Sequence, residues 1–375
     1  MTSGEGPGPE VIAGIKSWVA VESPTHDAGA VNRMMDLVEG EAGEASIASE
    51  RVAGSQGLAD SVVLRAGPAT GAPGILVLSH LDTVHPVGTI ENGLPLRIEG
   101  DRLYGPGVYD MKGGAYLALQ AFKQAAKAAP KLPLVFLFTS DEEIGSPSTR
   151  GLIEDLGRRS AYVLVTEPGR DGGKVVTSRK GVGRFDVHVE GRPSHSGTRH
   201  ADGLSAIREA ARQIVTVEGL TDYGRGVTTN VGMISGGTAQ NVVPQHCRFS
   251  IDLRVETVAD GEEYTRRILG LQPSDPDIRV KVTGGMNRPP YERIEPVVRL
   301  FEHARALAAE IGFDLADVPR TGGGSDGNFT AALGVATLDG LGVDGDGAHT
   351  LEEYALISSI RPRMRLMQGL LETLR

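Results

Sequence analysis

Uninterrupted apolar runs recur along the first half of the chain, each closing on a polar turn. Gly74-Ile75-Leu76-Val77-Leu78-Ser79-His80 and Leu132-Pro133-Leu134-Val135-Phe136-Leu137-Phe138 are the clearest, and Ala161-Tyr162-Val163-Leu164-Val165 is a third. Apolar residues at successive positions face both sides of a strand, so these runs predict strands covered on both faces. Around them the apolar spacing lengthens to that of a helix. Val11 to Val21, Ala30 to Val38, Gly113 to about Ala129 and a stretch near Thr149 to Leu156 read this way. In the Gly113 helix, Ala115, Ala118, Leu119, Phe122, Ala125, Ala126 and Ala129 share one face, and Pro130 ends it. Strand and helix in alternation predict an α/β fold with a mostly parallel sheet.

The pattern changes near Lys180. From Gly183 to Glu190, Phe185, Val187 and Val189 alternate with Asp186, His188 and Glu190, as in a strand with one wet face. A helix from Gly203 to Val217, strands near Thr228 to Ile234 and Cys247 to Val255, a helix near Gly261 to Leu269 and a strand at Ile278 to Val282 follow. The order β-α-β-β-α-β predicts a ferredoxin-like domain. After Pro289-Pro290 the α/β pattern returns. It gives a helix from Pro296 to Ile311, a turn at Gly322 to Gly324, a short helix from Asp326, a strand at Val335 to Leu338 and a closing helix from Tyr354. Residues 1–179 and 290–375 are therefore expected to form one domain, interrupted by an inserted α+β domain at 180–289.

A formal net charge of −10 argues against nucleic acid or an anionic membrane surface as partner. Cys247 is the only cysteine, so no intrachain disulfide can form, which suits a reducing compartment. Met1-Thr2-Ser3-Gly4-Glu5-Gly6-Pro7 lacks a basic segment followed by an apolar run, and no apolar run is long enough to span a bilayer. A cytoplasmic protein is the expectation.

The polar residues at the strand ends carry the candidate chemistry. His80 and Asp82 close the first apolar run, and two positions apart they can share a face. Glu142 and Glu143 follow the second run, and Glu167 the third. Asp110 precedes the Ala-rich helix, and His349 ends Gly345-Asp346-Gly347-Ala348. Singly, each has an ordinary explanation: a cap, a turn residue, a solvated charge. Two adjacent carboxylates at the end of a buried strand repel, however, and a divalent cation relieves that repulsion. Open α/β sheets place ligands at the carboxyl ends of their strands. His80, Asp110, Glu143, Glu167 and His349 together suit two closely spaced zinc ions with one carboxylate between them.

From about Gly74 onward the chain closely resembles the metallopeptidase family of glutamate carboxypeptidase, aminoacylase, acetylornithine deacetylase and succinyl-diaminopimelate desuccinylase. The likeness lies in Ser79-His80-Leu81-Asp82-Thr83, Gly105-Pro106-Gly107, Asp110-Met111-Lys112-Gly113-Gly114, Thr139 to Gly145, Thr166-Glu167-Pro168, Pro193-Ser194-His195-Ser196-Gly197, Asn241-Val242-Val243-Pro244, Thr321-Gly322-Gly323-Gly324-Ser325-Asp326 and Ala348-His349. The last Gly-rich run is most similar to the glutamate carboxypeptidase branch. The resemblance implies a catalytic domain with an inserted lid or dimerisation domain. It implies two Zn2+ per subunit, one held by His80, Asp110 and Glu167 and the other by Asp110, Glu143 and His349. Co2+ or Mn2+ would also suit so carboxylate-rich a set. Asp82 would orient His80, Glu142 would act as general base, and the Asp110-Met111 peptide would be cis. His195 would stabilise the oxyanion, often from the partner subunit of a homodimer built through 180–289. Asn241, Arg288, Gly323 and Gly324 would face the substrate, with Arg254 a rival to Arg288 for its carboxylate.

The expected reaction is hydrolysis of a peptide or N-acyl amide bond next to a free carboxylate. Deacylases of N-acyl amino acids and dipeptidases share the same metal ligands, so those ligands leave the substrate open. A metal-dependent binding protein without catalysis is disfavoured by the intact Glu142. Gly322, Gly324 and Gly327 also satisfy the spacing of a dinucleotide-binding fingerprint, but no first strand precedes them, and the run reads as a substrate-facing loop.

Overall fold

The computed structural model describes residues 8–375. Residues 1–7, read above for a leader peptide, lie outside the described residues. The chain divides into two compact units. One runs up to Ser178 and resumes at Arg293–Thr321 and Ser325–Arg375. The other comprises Arg179–Glu292 and takes in Gly322–Gly324, a turn that the sequence pattern does not separate from residues 290–375.

The first unit is built on a six-stranded sheet. Its strands β1 (Ala48–Val52), β2 (Ser61–Ala66), β3 (Gly74–His80), β4 (Leu134–Thr139) and β5 (Ser160–Val165) lie in the order β1-β2-β4-β3-β5, with Ala336–Leu338 at the far edge. From β4 to that edge every pairing is parallel, and β1 and β2 add an antiparallel margin. All seven residues of β3 are buried. Alternate side chains go to opposite faces, as the strand period demands. Ile75, Val77, Phe136 and Leu164 join Trp18, Met34, Phe122 and Met367, from four helices, on one face. Leu76, Leu78, Leu137 and Val163 meet Ile153, Leu156 and Phe329 on the other. The helix Gly113–Lys127 starts hard against the end of β5. A Cβ at Gly114 would stand 2.3 Å from the Thr166 carbonyl oxygen, so only glycine permits that approach.

The second unit has strands β6 (Gly181–Glu190), β7 (Thr228–Gly236), β8 (His246–Val255) and β9 (Arg279–Arg288), all antiparallel, in the order β7-β8-β6-β9. Helices Ala206–Glu218 and Val258–Leu269 cover one face. Phe185, Val187, Phe249, Ile251 and Leu253 pack there with Ala210, Tyr264 and Ile268. The opposite face carries the polar half of each alternation, including Arg248, His188 and Lys281 side by side on three strands. Among the described residues no helix is long and apolar enough to cross a membrane.

Candidate metal centre

Parallel register decides where the polar strand ends fall. His80, the last residue of β3, pairs with Thr139, the last of β4, and Leu78 pairs with Val165, the last of β5. The three strands finish together, and the turns after them carry Asp82, Glu142 with Glu143, and Glu167. Asp110 sits in the buried segment Val108–Lys112 ahead of the Gly113–Lys127 helix, and the Asp110–Met111 peptide is cis. His349 lies in the loop before the short strand Tyr354–Leu356.

The side chains converge. His80 Nε2 is 3.3 Å from Asp110 Oδ1 and 3.8 Å from Glu167 Oε1. His349 Nε2 is 3.4 Å from Asp110 Oδ2 and 3.2 Å from Glu143 Oε2. Asp110 thus turns one oxygen to each imidazole. Glu142 offers a further oxygen within 4.8 Å of donor atoms of His80 and Glu167.

His80 Nδ1 lies 2.9 Å from the Asp82 carbonyl oxygen and 3.5 Å from Asp82 Oδ1. Nδ1–H donates to that carbonyl, so in the neutral ring Nε2 aims a lone pair at carboxylate oxygens. Such a contact repels unless a proton or a cation lies between. The acid–base properties reflect this. Burial alone would keep His80 neutral, but Asp110 and Asp82 outweigh it and raise its proton affinity well above the ordinary imidazole value. Bonds to Asp110 and Glu143 push His349 up to about 10. For Asp110, burial favours the protonated acid, yet the two imidazoles override it and hold the carboxyl far below its usual range. Glu143 goes the other way, raised by burial and by the Asp110 charge despite its bond to His349. Its Oε1 is buried with no hydrogen-bond partner. These donors, crowded negative charge and an orphaned oxygen fit divalent cations.

Asp82 does more here than orient a ring. The nearest contact to His80 is its carbonyl. Its carboxylate accepts from Glu142 N and Glu143 N, both at 3.2 Å, and from Thr25 Oγ1 at 2.8 Å. It thereby fixes the turn Glu142–Ile144 against the end of β3. Thr25 carries no sequence signal for this contact. Glu353 is likewise unmarked in the sequence. It is buried, and accepts from Gly107 N, Tyr109 N, Asp110 N and the His85 ring. Lys112, also buried, donates to the Val21 carbonyl at 2.7 Å, and burial pushes its ammonium down to about 8.

The remaining expected site residues belong to the second unit. Ser194–His195 pairs antiparallel with Val242–Val243, which sets exposed His195 near exposed Asn241. His195 Nδ1 accepts from Gly197 N at 3.1 Å and Thr198 N at 3.2 Å, so the neutral ring carries its proton on Nε2. The Gly322–Gly324 turn rests on arginines: Arg254 donates to the Gly322 carbonyl and Arg179 to that of Gly323. A Cβ on Gly324 would lie 2.7 Å from Cδ of buried Arg288. Arg254 also grips Asp252 through two bonds, at 2.7 and 2.9 Å.

Known proteins place the chain. The peptidase family M20/M25/M40 matches residues 76–373. Carboxypeptidase G2 of Pseudomonas sp. (strain RS-16) is 29% identical over 371 residues, covering 97% of this chain and 89% of that protein. Acetylornithine deacetylase of Myxococcus xanthus is 33% identical over 204 residues, 52% of each chain. A tripeptidase from Staphylococcus aureus has the same fold, with a TM-score of 0.78 at 20% identity over 98% of this chain and 99% of that one. An M20 family metallo-carboxypeptidase from Sulfolobus solfataricus gives 0.73 at 16% identity over 97% and 98%. The chain belongs to the M20/M25/M40 peptidase family and is an enzyme of its metallopeptidase and amidohydrolase class.

Proposed function

We propose that this enzyme is a di-zinc exopeptidase that hydrolyses an amide bond next to a free carboxylate, with a glutamate carboxypeptidase-like preference. The observation that carries the reading is Asp110, whose two oxygens lie 3.3 Å from His80 Nε2 and 3.4 Å from His349 Nε2. A carboxylate shared in this way suits a bridging ligand. His80, Asp110 and Glu167 would hold one ion, and Asp110, Glu143 and His349 the other. Nitrogen and carboxylate donors suit zinc, with cobalt or manganese as alternatives. When bound, the ions supply Lewis acidity to the scissile carbonyl and to the attacking water.

Glu142, held by Asp82 at the end of β4, takes the proton from that water and returns it to the leaving amine. His195 donates from Nε2 to the oxyanion. Arg288 receives the substrate carboxylate beside Gly323 and Gly324, with Arg254 its rival for that role, and Asn241 meets the substrate together with His195, at the other end of β6 from Arg288. We assign His195 to the partner subunit of a homodimer. In support, β7 is an edge strand that exposes Met233 and Ile234 at 68% and 55%. The neighbouring helix exposes Val215 at 73%. An apolar edge of this kind suits a two-fold contact.

Metal analysis with turnover of a panel of N-acyl amino acids and dipeptides tests the reading. About two divalent ions per chain are expected, as in two-metal hydrolases, with chelator-sensitive release of C-terminal glutamate. A chain that retains no divalent ion, or that cleaves only substrates with a blocked carboxyl, would sink it. Carboxypeptidase G2, similar over 97% of the chain, favours the carboxypeptidase reading, and the ranking of the panel separates it from deacylase or dipeptidase activity.

A further inference from the structure

We infer that Glu353 is a positioning residue: its carboxylate ties the Asp110 segment to the loop that carries His349, and so sets the spacing of two proposed metal ligands. The inference rests on the metal reading above. Glu353 is 1% exposed. Its Oε1 accepts from Tyr109 N at 2.8 Å and Asp110 N at 3.0 Å, and its Oε2 from Gly107 N at 2.9 Å and His85 Nε2 at 2.8 Å. A buried carboxylate is tolerated when its lone pairs are filled, and these four donors fill them. Three are consecutive or nearly consecutive main-chain amides. The carboxylate therefore dictates the path of the backbone into Asp110, not merely the direction of one side chain.

The same residue belongs to the other loop. Glu353 follows His349 by four positions, and the next residue, Tyr354, pairs with Tyr104, three residues before Gly107. One strand pair thus launches both loops, and the Glu353 carboxylate closes them on each other a few residues further on. The 3.4 Å approach of His349 Nε2 to Asp110 Oδ2 lies at the far end of this clamp. Glu352 supplies a built-in control, being exposed beside it.

Cobalt(II) titration of the full-length chain, stripped with chelator and followed by visible absorption, tests the clamp. Wild type and Glu352→Gln should bind with equal affinity and the same spectrum. Glu353→Gln loses an acceptor for Gly107 N and should bind about 10–100-fold more weakly, the usual effect of disturbing a ligand's support, with an altered spectrum. A Glu353→Gln chain that melts at lower temperature yet binds cobalt with wild-type affinity and spectrum would reduce Glu353 to a structural residue and overturn the inference. Failure of the wild type to bind cobalt would instead remove the metal reading on which it stands. Should Glu353→Gln not fold, Glu353→Asp, which withdraws the carboxylate by one methylene, is read in the same titration with the same two outcomes.

Discussion

Glu209 in the second unit and Glu143 in the first are both taken out of water, with side chains 0% and 7% exposed, and their surroundings are opposite. Glu209 Oε1 accepts from Gln213 Nε2 and Ser274 N at 2.7 and 2.9 Å, and Oε2 accepts from Ser274 Oγ. Burial opposes its charge, but these bonds prevail and lower its proton affinity. Glu143 keeps one oxygen without a partner, shares its neighbourhood with Asp110, and has its proton affinity raised by burial. A buried acid that serves the fold is satisfied by the fold. One left partly unsatisfied among like charges, at the ends of parallel strands, points to a ligand from outside the chain.

The contrast breaks most easily at the chemistry. Glu142→Gln keeps the shape of the turn and loses the proton acceptor. Turnover should fall by about 10²–10⁴-fold, the usual contribution of a general base, with metal content intact. Near-wild-type turnover at full occupancy would remove Glu142 from the chemistry, whereas lost metal would make it a ligand, since its carboxylate lies within ligand distance of His80 and Glu167.

His195 comes next. His195→Ala should lower turnover by about 10²–10³-fold, the scale of one lost oxyanion donor, and leave metal content unchanged. Mixed dimers of Glu142→Gln and His195→Ala subunits should regain activity, because one site receives both intact residues. Mixed dimers that form and stay inactive would place His195 in its own subunit's chemistry or in none.

The two glutamates themselves should answer the same substitution in opposite ways. Glu143→Gln should lose one bound ion per chain and most turnover. The metal-free chain should melt no lower than wild type, and up to about 1 kcal/mol more stable, because a poorly compensated buried charge is gone. Loss of stability in the metal-free state, with both ions retained, would make Glu143 a second Glu209.

How far these features can be read from the chain depends on the distance over which they are built. β3, β4 and β5 are continuous apolar runs, and the residues that end them are local facts. β1 escapes the pattern because Ala48–Val52 is an edge strand with a largely exposed face and no apolar alternation. The closing helix is expected from Tyr354, but Tyr354–Leu356 is drawn into pairing with Arg102–Tyr104, and the helix begins at Ile357. Glu353 is indistinguishable from Glu352 in sequence. Its bond to Asp110 N spans 243 positions, and no local period encodes that. The strand ends and loops offered the five candidate ligands and the family resemblance divided them between two ions; the main-chain support behind them came only with the fold.

The smallest expected effect concerns Glu209. Its carboxyl has a lower proton affinity folded than unfolded, so between those two values the unfolded chain binds more protons and stability rises with pH. The contribution is complete above the ordinary glutamate value of about 4.3 and is lost as pH falls through the folded value. Glu209→Gln can keep an acceptor for Ser274 N but loses the charge that strengthens it. It should cost about 1–2 kcal/mol near pH 7, the difference between charged and neutral hydrogen bonds, with turnover and metal content unchanged. Cys247, buried in the same unit and the only cysteine, supplies the local probe: its labelling by a thiol reagent, normalised to a free thiol at each pH, reports opening of that unit alone. The gap between wild type and Glu209→Gln should be widest near neutrality and close as the pH falls through the folded value. A gap that stays constant across that range would mean that the lost stability is packing rather than charge, and the contrast with Glu143 would then rest on the orphaned oxygen alone.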